Sequence, residues 1–72
     1  MEYAIIYGAG TVSEIKKGVI LFHYPTREKA LADLAEYNRL SKKHGQEVTE
    51  ESEDYFSVIR GGILNTYKVL AV

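Results

Sequence analysis

The order of patterns along the chain predicts an α+β domain. We expect a small, mostly antiparallel four-stranded sheet with one helix packed on one face, in the order ββαββ. Three observations carry this reading. Short runs rich in Ile, Val, Tyr and Phe recur between polar or Gly-rich breaks. A single stretch, from Thr26 to about Lys43, has helical periodicity. The pair Gly61-Gly62 separates two strand-like runs and suits a two-residue hairpin.

The first strand is expected over Glu2 to Tyr7, ended by Gly8-Ala9-Gly10. Thr11 to Lys17 fits a wandering strand or a single helical turn equally well. Val19 to His23 is an unbroken β-branched and aromatic run, which predicts a strand buried on both faces or at the sheet centre. Pro25 stops it, and Thr26 is placed to cap the helix that follows, with Glu28 in the first turn where the helix dipole favours an acid. Ala30, Leu34, Tyr37, Ser41 and His44 project onto one stripe, with Leu31 and Leu40 on its margins. Ala32, Glu36, Arg39 and Lys43 lie opposite. Gly45 is placed to end the helix in a left-handed conformation. Gln46 to Asp54 is expected as a flexible acidic loop, Tyr55 to Arg60 as the third strand and Ile63 to Val72 as the fourth.

A chain of 72 residues is one small domain, residues 1–72, with a thin core. Its hydrophobic content of 46% is too high for a disordered segment. There is no cysteine, so thiolate metal sites, cysteine catalysis and disulfide stapling are excluded, and a reducing compartment is favoured. The start, Met1-Glu2-Tyr3-Ala4-Ile5-Ile6, lacks the basic opening and apolar run of a signal peptide. The longest apolar run, Val19-Ile20-Leu21-Phe22, is far too short to span a bilayer. A cytoplasmic domain without a membrane role is the expectation.

Motifs for chemistry are sparse. The turn Gly8-Ala9-Gly10 resembles the opening of a dinucleotide-binding loop, but Ser13 stands where the third glycine belongs. No acid closes the following strand, which ends His23-Tyr24-Pro25. A plain Gly-rich turn is the reading adopted. His23 and His44, the only histidines, flank the helical stretch, so about 20 Å or more of helix rise separates them. No catalytic residue, metal site or cofactor is expected.

Two sets of residues are candidates for binding instead. Tyr3, Tyr7, Tyr55 and Tyr67 fall on expected strands. They either pack in the core or line an uncovered sheet face, where tyrosine suits a protein interface or stacks nucleobases. Lys16, Lys17, Arg60 and Lys68 would then contact phosphates. Against that, the net charge is −1, and Val19 to His23 has none of the basic and glycine residues of an RNA-stacking strand. The second set is the acidic window Glu47, Glu50, Glu51, Glu53 and Asp54, which holds every acid of residues 47–72. It lacks the alternating acids and fixed glycine of a calcium loop. It is either a solvated connection or a patch that meets a basic partner.

The stretch Phe22-His23-Tyr24-Pro25-Thr26-Arg27-Glu28-Lys29-Ala30 resembles a recurrent strand-to-helix junction of small bacterial and phage proteins. In size and style the chain is similar to phage-encoded proteins that bind and block a host enzyme, which implies regulation or inhibition by contact.

More of the expected sheet is apolar than one helix can hide. The function expected is therefore a non-enzymatic protein-binding module that self-associates and has a protein partner. A single-stranded nucleic-acid binder using the strand tyrosines is the alternative, and a small enzyme or ligand-binding domain the third reading.

Overall fold

The computed structural model describes residues 2–15 and 18–72; Lys16 and Lys17 lie outside the described residues. The strands are β1 (Tyr3–Ala9), β2 (Val19–Tyr24), β3 (Glu47–Glu51), β4 (Tyr55–Arg60) and β5 (Ile63–Ala71), and the helix is α1 (Arg27–Lys43). They form one sheet in the order β2-β1-β5-β4-β3. Every neighbouring pair is antiparallel.

The α+β class holds, but the sheet has five strands rather than four, and the element order is ββαβββ. The added strand is β3, which occupies most of the window expected as an acidic loop. Its only apolar residue, Val48, pairs with Val58 and packs half-buried against the core. An edge strand needs just one inward side chain at that point. Glutamates elsewhere along it stay in water, which charged edges commonly do.

The helix forms where its periodicity places it. The Thr26 hydroxyl accepts the Lys29 amide, and Gly45 follows the helix at φ 77°. Ala30, Leu34 and Ser41 are buried and Tyr37 is half-buried, while Ala32, Glu36, Arg39 and Lys43 are exposed. His44, assigned to the stripe, is exposed at the cap, where its amide reaches the Leu40 carbonyl. Arg39 pairs with Glu36, one turn apart. Asp33 accepts the Tyr24 hydroxyl at 2.8 Å and so ties the helix to strand β2.

Alternation divides the sheet. Ile5 on β1, Tyr67 and Val69 on β5, and Phe56 and Val58 on β4 meet Ala30 and Leu34 of α1 in the core. Tyr67 is its hub. Its ring stacks on Phe56 at 4.8 Å and on Tyr37 at 5.8 Å, and meets Tyr7 at 4.8 Å. On the other face, Ala4, Ile6, Ser57 and Thr66 are also buried, as is Ile15 of the β1–β2 connection. Ile15 lies against β1, since a Cβ at Gly8 would meet its Cγ2 at 3.0 Å. The connection is tied to the sheet by the Gly10 amide on the Leu64 carbonyl, and by the Thr66 hydroxyl on the Gly10 carbonyl at 2.7 Å. Thr66 spends its proton there, so the Ser57 hydroxyl, 2.7 Å away, donates to Thr66. The described part of the Thr11–Lys17 stretch is a turn, closed by the Glu14 amide on the Thr11 carbonyl.

The second correction concerns β2. Far from being central, it is an edge, and every residue from Val19 to His23 is exposed. An unbroken apolar run is the mark of a strand buried on both faces, and it reads the same when one edge and part of each face are left open. The hairpin at Gly61-Gly62 forms as expected, with φ 60° and 78°, both positive as a type I′ turn requires.

If the stripe is as described, Leu34→Ala should cost about 2–5 kcal/mol of stability, as for truncation of a buried leucine. Arg39→Ala, on the exposed side, should cost about 0.5 kcal/mol or less. Chemical denaturation of both variants checks this, and equal midpoints would mean that α1 is rotated.

Candidate functional site

The four strand tyrosines do not share an exposed face. Tyr67 is 7% exposed at the core hub. Tyr7 is half-buried on the same side and donates to the Asn65 amide oxygen at 2.9 Å. Asn65 in turn donates to the Ile63 carbonyl, so this partly buried polar contact is satisfied at both ends. Tyr3 packs half-buried against the core. Tyr55 pairs with Lys68, one residue out of phase with the Phe56–Tyr67 pair, and so belongs to the opposite face. Three of the four rings therefore lie under the helix. Of the four basic residues considered for phosphate contacts, Arg60 sits with its guanidinium carbon 5.8 Å from the Tyr67 ring, and Lys16 and Lys17 fall outside the described residues.

The acidic window is spread over an edge strand and the turn after it. Glu51 pairs with Lys42 of the last helical turn, and Glu53 pairs with Arg27 of the first at 3.3 Å. These two contacts strap the β3–β4 hairpin to both ends of α1. The Lys42 ammonium, with the Asn38 amide adding to it, holds the Glu51 carboxyl below its ordinary value. Glu47 and Glu50 are exposed and make no ion pair among the described residues. Asp54 is half-buried, and its carbonyl accepts the Val69 amide.

His23 lies exposed on β2 and His44 exposed at the helix C-terminus. The 17-residue helix between them spans about 25 Å, so they cannot share a ligand. Among the described residues no group of His, Asp and Glu is arranged to hold a metal ion. No described helix is long and apolar enough to cross a membrane. A cavity of about 190 Å³ opens between α1 and the β3–β4 turn, lined by Leu34, Ala35, Asn38, Ser52, Glu53 and Phe56 with Tyr55 beside them. It is smaller than the roughly 300–1,000 Å³ of a typical small-molecule site. The buried Asn38 Oδ1 has no hydrogen-bond partner among the described residues.

The longest continuous part of the exposed apolar surface lies on β2; the other exposed large hydrophobics, Ile59, Ile63, Leu70 and Val72, are spread over β4, β5 and the end of the chain. Val19 is 65% exposed, Ile20 47%, Leu21 36% and Phe22 53%, and no charged residue interrupts them. On its inner side β2 pairs with β1, with a register shift between Ile5 and Ile6 that leaves Leu21 without a partner. Phe22, His23 and Tyr24 pair regularly with Ile5, Ala4 and Tyr3. On its outer side β2 has no neighbouring strand among the described residues. Tyr24 anchors its end: burial first, then the hydrogen bond to Asp33, pushes the phenol well above its usual value. The residues that stand out here, Val19 to Phe22, are ones that a burial reading of the sequence hides. The signal that could have revealed them is the small number of apolar helix positions available to cover a wide sheet.

Comparison of the chain with protein-family models, with curated proteins and with solved structures gives no match.

The strap between Glu51 and Lys42 has a pH signature. A carboxyl whose folded value is depressed contributes stability above its unfolded pKa, and loses that contribution as pH falls through the folded one. Carboxyl NMR titration should find Glu51 below the ordinary glutamate value of about 4.3. In Lys42→Met the value should return towards normal. An unchanged titration in that variant would show that the contact does not persist in solution.

Proposed function

We propose that the chain is a non-enzymatic protein-binding module that self-associates. The observation that supports this is the uncharged, exposed edge strand β2, whose apolar side chains and unpaired outer backbone are together a template for another strand. A monomeric domain gains nothing from leaving Val19, Ile20 and Phe22 in water, while a binding partner recovers about 25 cal/mol for each Å² of apolar surface covered. The placement of Tyr3, Tyr7 and Tyr67 under the helix favours this reading over nucleobase stacking. By analogy of size and style with phage-encoded proteins, the partner would be a host enzyme that the module regulates or inhibits.

Sedimentation equilibrium at micromolar concentration should give a mass above the 8.1 kDa of the monomer. The association should survive an increase in salt, because apolar burial is not screened as exposed charges are. A clean monomer across the range would overturn the proposal. Steep loss of a bound oligonucleotide with salt would instead support the nucleic-acid reading.

A further inference from the structure

We propose that the strand received by β2 is β2 of a second copy, paired antiparallel across a two-fold axis so that two five-stranded sheets become one of ten strands. This rests on the self-association reading and specifies its geometry.

The argument comes from the contrast between the two sheet edges. β2 and β3 are both outermost. β3 reads Glu-Val-Thr-Glu-Glu and is exposed along all but Val48. Pairing β3 with β3 of another copy would set Glu47, Glu50 and Glu51 against their own kind, and like charges across a strand pair are destabilising. Pairing β2 with β3 would place those glutamates against Val19, Ile20 and Phe22. It would also leave a free β2 and a free β3 at the ends, so the contact would propagate into a fibre. Only β2 with β2 joins apolar to apolar, repels nothing and closes on itself. β2 bears none of the Lys, Glu or Pro that commonly guard an edge. Its one guard is the bulge at Leu21, and the stretch Phe22 to Tyr24 beyond it stays in regular register with β1.

The geometry also suits the side chains. Antiparallel pairing across a two-fold axis perpendicular to the sheet keeps both helices on one side. Phe22 pairs with Ile5 and so shares the helix face. In the dimer it comes beside the partner strand on that face, together with Tyr24, whose ring lies 6.5 Å from it. The exposed surface of Val19 to Tyr24 is on the order of 400 Å² per copy, taking aromatic side chains at roughly 150–250 Å² each. Covering it in both copies buries roughly 800 Å², below the roughly 1,200–2,000 Å² of stable interfaces and in the range of weak, reversible ones.

The chain has no cysteine, so a single introduced one carries a unique spin label. Thr49→Cys places it on the far edge, on an exposed position of β3. Strands lie about 4.8 Å apart, so β2–β2 pairing separates the two labels by nine spacings, about 43 Å. Head-to-tail β2–β3 pairing gives about 24 Å, β3–β3 pairing about 5 Å, and stacking of the sheets' open faces no more than about 22 Å. Pulsed electron spin resonance of the dimer should show the long distance. In parallel, Leu21→Lys should weaken dimerisation at least about tenfold with the circular dichroism spectrum preserved. Glu50→Lys on β3 should leave it unchanged. A dimer with labels at about 24 Å or less overturns β2–β2 pairing and leaves self-association standing, whereas a monomeric wild type overturns both. Should Leu21→Lys fail to fold, the label distance in the otherwise native sequence still decides.

Discussion

One helix has to cover five strands, and most of the architecture follows from the mismatch. An α-helix with its side chains is about 10–12 Å across, whereas five strands place their outer axes about 19 Å apart. Burial therefore concentrates on the strands beneath α1. Ile5, Tyr67, Val69, Phe56 and Val58 fill the middle, and the margins are left with whatever the edges can tolerate. The large rings answer part of the deficit. Tyr67 touches Phe56, Tyr37 and Tyr7 and so ties β4, α1 and β1 to β5 through one side chain. Offset and tilted contacts of this kind contribute about 0.5–1.5 kcal/mol beyond the area they bury.

The two margins solve the mismatch in opposite ways. At β3 the solution is electrostatic: glutamates stay in water, and two of the acids of that hairpin reach Lys42 and Arg27 at opposite ends of the helix. Exposed pairs of this sort add little stability, but they fix the hairpin's position against α1. At β2 the only tether to the helix among the described polar contacts is the Tyr24–Asp33 hydrogen bond, and the rest of the strand is left apolar and open. The far face is only partly covered, by the connection that carries Ile15 and is held by Gly10 to Leu64 and Thr66, and Leu70 on that face stays exposed.

What could be read in the sequence was what depends on local chemistry. Thr26, Gly45 and the Gly61-Gly62 pair act through their own backbone and nearest neighbours, and they stand where their chemistry places them. The buried stripe of α1 was legible for the same reason, since Ala30, Leu34 and Ser41 repeat with the helical period. Strand β3 was not legible, because its sole inward residue, Val48, is defined by Val58 across the sheet and not by any alternation of its own. The edge position of β2 was not legible either. Strand order is decided by long-range pairing, and an apolar run carries no mark of whether a neighbour lies on one side or on two. The tyrosines were ambiguous in the same way: only the sheet order decides that Tyr67 becomes the hub of the core while Tyr55 faces away from it.

The pairing of β1 with β5 has a consequence in time. Tyr3 is opposite Ala71 and Ala9 opposite Asn65, so the central strand of the sheet is the last of the five in chain order. Until then β1 has only β2 beside it, and an isolated two-stranded ribbon is marginal in water. The helix has no finished surface to settle on, since Phe56, Tyr67 and Val69 are all downstream of it. The domain therefore cannot assemble stepwise from its first residues. It waits as a short ribbon, a fraying helix and a second hairpin, and then closes over a long stretch of intervening chain, the kind of event that slows folding because loop entropy is lost before distant contacts are made. During that interval the apolar run of β2 has only β1 to pack on.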